Sequence, residues 1–268
     1  MIREMAVMSA VAAVLGAVAV ATTAARADGV DDILKRGELI VAVQTQGPPN
    51  SFVNKKGERV GFMIDLVKAM AADMGVKLTT QDYDFRGLIP AAMSGKVDFI
   101  AADMAPTSQR SLQLLFSDAF FEEPVVMYAK KSKGFHNVTE LNRRGVSVGV
   151  VQGSANRMIL QRQFPKAEIR EFSGGGPALA EAVAADRVDA AINTASNARG
   201  NIARYGDAFG VIEGEQLYVW PEAFGVRPEQ THLLAWINNW LYWAKRDGKL
   251  NDWIRYWRTS DDWRTEHM

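Results

Sequence analysis

Residues 98–110 read DFIAADMAPTSQR: an apolar run that stops at Asp103, a short polar loop, and an arginine at Arg110. Phe99, Ile100, Ala101 and Ala102 show little alternation with polar residues, the pattern of a strand buried on both faces of a parallel sheet. Residues just past the carboxyl end of such a strand lie where open α/β sheets bind ligands. Asp103 and Arg110 are therefore the first candidate site residues, on a chain of the α/β class.

Working outward, GKVDFIAAD (95–103) aligns without gaps on DRVDAAINT (186–194), and each follows an Ala-rich helical stretch. Two further strand candidates, Leu39–Val43 and Val146–Val151, each lead into a loop bearing Gln and Gly, QTQGPPN (44–50) and QGSAN (152–156). These parallels predict two similar α/β lobes, each a mainly parallel sheet flanked by helices. Met63, Val67, Met70 and Met74 follow the spacing of one buried helix face, and Gly75 marks its end. Thr231–Lys245 is a second helix, broken at Asp247–Gly248 before a last helix through Trp253 and Trp257. Six of the seven tryptophans lie between Trp236 and Trp263, and their helical spacing assigns them to core packing and shielding rather than to an aromatic ligand box. The chain is expected to cross between lobes along Pro124–Lys131 and to return near Gly214–Tyr218. The segments are then 28–129, 130–215 and 216–268, with a ligand cleft between the lobes.

The first residues, MIREM, precede an apolar run from Ala6 to Ala21 and the sequence TTAARA (22–27). That order predicts a secretory signal peptide over residues 1–27, cut after Ala27, and a periplasmic protein. The absence of cysteine excludes a lipoprotein anchor and a disulfide framework. Beyond residue 27 there are 29 basic and 30 acidic side chains, a balance that suits neither nucleic-acid nor membrane-surface binding. His136, His232 and His267 are dispersed, in no spacing that suggests a metal site or a catalytic triad.

Several motifs in series resemble the family 3 extracellular solute-binding proteins, the amino-acid receptors of periplasmic ABC importers. GFMIDL (61–66) is similar to the family signature, with Met63 in place of its first acidic residue. YDFRGLIPAAMSGKVDFIAADM (83–104) continues with the family's aromatic, its GLIPAL-like helix and its Gly-x-x-Asp strand, while PTSQR (106–110) and FSDAFF (116–121) resemble the family's TPER and FSDPYY. The resemblance runs from Ile33 to about Trp257 and implies a two-lobed, type II-like periplasmic-binding-protein fold. It places the carboxylate-binding arginine at Arg110, whose planar fork suits a carboxylate. It also places the ligand-stacking aromatic at Phe85, and Ala105 in the adjoining loop of the site. Ser154 and Ala155 fall on the turn whose free N–H groups share the ligand carboxylate, although Ser154 equally suits a helix cap.

Departures from the family bear on the ligand. Thr194, beside Asn193, stands where the family often has an acidic residue for the ligand ammonium, and Gln44 replaces the usual acid after the first strand. Asp103 stands where a small residue is commoner. It would take over the ammonium, or else pair with Arg110 or cap the loop through Thr107. Gln44, Gln46, Asn193 and Asn197 suggest a polar partner. The resemblance thus implies a non-enzymatic receptor for a polar or cationic amino acid or derivative. It would be a monomer, without cofactor or metal, whose closed form an inner-membrane permease recognises. The alternatives are a receptor for another carboxylate, an enzyme like the family's cyclohexadienyl dehydratases, and a ligand-sensing subunit.

Overall fold

The structure is a computed structural model that describes residues 29–44 and 47–268. The expected signal peptide and Gln46 lie outside the described residues.

Helix α1 (Gly29–Arg36) leads into β1 (Glu38–Val43), which pairs parallel with β4 (Lys77–Asp82) on one side and β5 (Phe99–Met104) on the other. Between β1 and β4 lie a small hairpin, β2 (Phe52–Val53) with β3 (Arg59–Val60), and helix α2 (Phe62–Met74). Met63, Val67 and Met70 of α2 are buried and Met74 packs beside them, as the spacing predicts. Gly75 ends the helix at φ 68°, and the Val76 N–H returns to the Ala71 carbonyl at 3.0 Å, a glycine-closed terminus. Helix α3 (Leu88–Met93) packs on the opposite face of the sheet. Along β5, Phe99 and Ala101 join one core while Ile100, Ala102 and Met104 join the other, so the apolar run is continuous because both faces are covered.

A second parallel set has β8 (Ser147–Val151) between β9 (Glu168–Phe172) and β10 (Ala190–Thr194). Helices α5 (Asn156–Gln163), α6 (Gly175–Ala184) and α7 (Ala195–Ile202) connect and flank these strands. The gapless match between the two halves has a structural cause. Asp98, just before β5, donates its N–H to the Ile40 carbonyl and accepts the Ile40 N–H on its carboxylate at 2.8 Å. Asp189, just before β10, does the same with Ser147 at 2.9 Å. Each carboxylate also holds a cation, Arg36 at 2.6 Å and Lys133 at 3.0 Å.

Two antiparallel strands join the sets. The first, β7 (Phe121–Lys130), pairs through residues 121–124 with β12 (Val219–Val226) and through 125–129 with β10. The second, β12, also pairs with β5, and short strands β6 (Leu115–Phe116) and β11 (Phe209–Val211) add to β12 and β7. The strand order is β4-β1-β5-β12-β7-β10-β8-β9. The chain closes with α8 (Thr231–Arg246), α9 (Lys249–Trp253), a π-helical turn (Ile254–Thr259) and α10 (Asp262–His267). Trp240, Trp257 and Trp263 are buried there, and the first two donate their indole N–H to Asp73 and Asp65, both at 2.7 Å. The tryptophan cluster is core and shield, as its spacing predicts.

Candidate functional site

The carboxyl ends of β1, β5, β8 and β10 converge on one cavity, where Gln44, Asp103, Val151 and Thr194 sit at or just past the strand ends. Phe85, Ala105, Arg110, Ser154, Ala155 and Asn193 line the same space. Every candidate named from the sequence within the described residues, Asn197 included, therefore borders one cavity, of ≈ 540 Å³ counting the space open to solvent. Among the described residues there is no cluster of side chains suited to a metal ion.

Arg110 lies in a single helical turn, α4 (Ser108–Ser111), started by the Thr107 hydroxyl, which accepts the Arg110 N–H at 3.4 Å. Its guanidinium donates to the carbonyls of Ala105 at 2.8 Å and Gly153 at 3.1 Å, and sits 5.2 Å over the Phe85 ring. Arg110 is buried, and burial pushes its pKa down to about 10, with no carboxylate among the described residues to oppose the shift. The group stays charged at neutral pH and, among the described residues, unpaired with any acid, which is the state a ligand carboxylate would complete.

The opposite wall comes from the second set of strands. Gly153 turns at φ 80°, and a β-carbon there would come within 3.1 Å of Arg86, so both the backbone conformation and the close approach to the Phe85–Gly87 turn favour glycine. The Ser154 hydroxyl accepts the Asn156 N–H at 3.2 Å, a cap-like contact at the start of α5. Thr194 and Asn193 are engaged locally: the Thr194 N–H donates to Asn193 Oδ1 at 2.9 Å, and Asn197 donates to the Thr194 hydroxyl at 3.0 Å.

Asp103, the penultimate residue of β5, has a left-handed conformation, φ 47°, which Asp tolerates better than most residues. Neither contact considered for it within its own loop forms. Thr107 caps α4 itself, and the partner of Asp103 is Arg258, from the π-helical turn, at 3.2 Å. The same guanidinium binds Glu123 at 2.7 Å and Glu222 at 2.9 Å, and lies 4.4 Å over Phe62 and 4.9 Å over Phe121. All four charged side chains are 3% exposed or less. Burial raises the pKa of Asp103, and that of Glu222 well above the usual carboxylate range, against the opposing pull of Arg258. Burial works against the Arg258 charge, yet Glu222, Asp103 and Glu123 together raise its pKa.

Glu222 and Trp220 also line the cavity and were not singled out from the sequence. Trp220 donates its indole N–H to Asn156 Oδ1 at 2.8 Å. The signal available for Glu222 is an acid inside VWPEAFGV (219–226), a run otherwise fit for burial.

Two further contacts join the two parallel sets of strands. The backbone of α7 at Gly200 lies so near the Pro48 carbonyl that a β-carbon would overlap it, at 1.6 Å. The Gly174 N–H reaches Asp84 at 3.3 Å.

Residues 39–260 match the bacterial extracellular solute-binding proteins, family 3. Among curated relatives, the arginine-binding extracellular protein ArtP of Bacillus subtilis is 31% identical over 159 residues, covering 58% of this chain and 61% of that protein's length. The ABC transporter arginine-binding protein 1 of Escherichia coli is 26% identical over 219 residues, 81% of this chain and 86% of the relative. Among solved structures, a mutant of ArgBP from T. maritima superposes with a TM-score of 0.80 at 29% identity, covering 87% of this chain and 100% of the other.

Proposed function

The chain belongs to the bacterial extracellular solute-binding proteins, family 3, and from that premise we propose that it is the periplasmic receptor of an ABC importer for a polar or cationic amino acid. The lobes in this reading are residues 28–129 with 216–268, and 130–215. The observation that carries the reading is the charge distribution of one cavity. Among the described residues Arg110 is a buried cation without an acid, while Asp103 and Glu222 belong to a cluster in which three carboxylates share one guanidinium. A zwitterion complements both: its carboxylate meets Arg110, and its ammonium meets Asp103. Phe85 and Trp220 supply apolar walls, and the relatives named for arginine favour a cationic or strongly polar side chain. Capture by closure requires no reaction, so the protein binds without turnover and the permease recognises its closed form.

The test is thermal unfolding with L-arginine, L-lysine, L-glutamine, their des-amino counterparts and a cyclohexadienyl acid, since a ligand of the folded state raises the melting temperature. Stabilisation by one or more amino acids, absent with the des-amino compounds and abolished in Arg110→Ala, is expected. Equal stabilisation by carboxylates lacking an amine would move the protein to another ligand class. Consumption of the cyclohexadienyl acid would make it an enzyme.

A further inference from the structure

We infer that Glu222 is a specificity-determining residue of this site, and that with Asp103 it forms a proton-sharing carboxyl pair which exchanges its proton for the cationic group of the ligand. The inference rests on the amino-acid reading above and extends it to a residue of the returning strand. Three features of the cluster support it. First, Asp103, Glu123 and Glu222 gather around one guanidinium: Arg258 Nη1 donates to Glu123 Oε2 and Ser196 Oγ, and Nη2 donates to Asp103 Oδ1 and Glu222 Oε2. Full ionisation would leave two buried negative charges uncompensated, a state the low-dielectric interior disfavours.

Second, the acids are not equivalent. Glu123 is satisfied from both sides, by Arg258 at 2.7 Å and by the Ser196 N–H at 2.7 Å, and it does not line the cavity. Asp103 and Glu222 do line it, and both accept from the same Arg258 Nη2, at 3.2 and 2.9 Å, which brings the two carboxyls side by side. Third, Asp103 Oδ2 is buried in the cavity wall and receives no hydrogen bond from the described residues. It is a buried acceptor still without a donor, on a residue that lines the cavity.

The charged groups around the pair are Glu123 from β7 and Arg258 from the π-helical turn, with Arg110 from α4 lining the same cavity. The neighbouring start of α7 presents Ser196 and Asn197, neither of which titrates near neutrality. Burial holds the carboxyls of Asp103 and Glu222 above their ordinary range, so the pair retains a proton in the empty cleft. When a ligand ammonium or guanidinium enters, its fixed positive charge replaces the proton, which leaves to solvent. The net charge of the site is then unchanged by binding at that position. An uncharged group placed there neither releases the proton nor reaches an ionised pair.

Isothermal titration of the protein with L-arginine and with L-glutamine, in buffers of differing ionisation enthalpy, counts the protons directly. Release approaching one proton is expected below the titration of the pair, with affinity rising by up to about tenfold per pH unit there. Glu222→Gln keeps a carbonyl for Arg258 and should still bind. It should lose the proton release and flatten the pH profile, with a cooperative thermal transition showing that it folds. Amino-acid binding with no proton released, or with the same release in the variant, overturns this inference and leaves the receptor reading intact. If neither amino acid binds and an amine-free carboxylate does, both fall together.

Discussion

Asp103 and Glu222, proposed above to meet the ligand, also bear on the folded state. Because burial raises both above their unfolded values, their contribution to stability is fully present below the unfolded carboxylate pKa of about 4 and is lost as pH rises through the raised folded values. The ligand-free protein is therefore expected to melt at lower temperature as pH rises through that window, and Glu222→Gln should flatten the decline. A slope identical in the variant would assign the effect to other groups. Asp103 and Arg110 are legible in the sequence because the end of a buried strand announces a site. Arg258 is not, since nothing local ties an arginine among tryptophans to a glutamate 36 residues earlier. Their pairing exists only once the C-terminal turn packs across β7 and β12.

At the scale of elements, the two halves repeat a brace rather than only a pattern. Asp98 and Asp189 each fasten the strand that follows to the neighbouring first strand of its set through an N–H at 2.8 and 2.9 Å. Replacing either by Ala leaves that N–H short of an acceptor and should cost about 1–3 kcal/mol, measured by urea unfolding. Asp98→Ala is expected to be the costlier, since Asp98 is the more buried and pairs with Arg36. A change below the error of either titration would mean that the alignment of 95–103 with 186–194 reflects sequence alone. The α2 stripe and the buried parallel strands are readable from period and composition. The crossing strands are harder, because β7 changes partner between Pro124 and Val125 without a break in its own conformation. The loop signals near Gly214 mark where β12 is approached, but not how far the strand runs, from Val219 to Val226.

For the molecule as a whole, the proposed closure would bring backbone against backbone where α7 touches the loop at Pro48. Gly200→Ala puts a methyl group into the Pro48 carbonyl, an overlap of the kind that costs about 1–3 kcal/mol when the surroundings must shift. The variant should fold, bind L-arginine more weakly than the parent, and retain in small-angle scattering the larger radius of an open form after ligand is added. Compaction equal to that of the parent would show that the contact is not needed for closure. Sequence gives no warning of this contact, since a glycine within an Ala- and Asn-rich helix reads as a weak helix position. The placement of the tryptophans also has an optical consequence. Among the seven indoles, Trp220 alone lines the cavity, whereas the others belong to the C-terminal helices. Intrinsic emission should therefore change when ligand enters, and Trp220→Phe should silence the change while leaving most of the total fluorescence, so that the protein reports its own occupancy without a label.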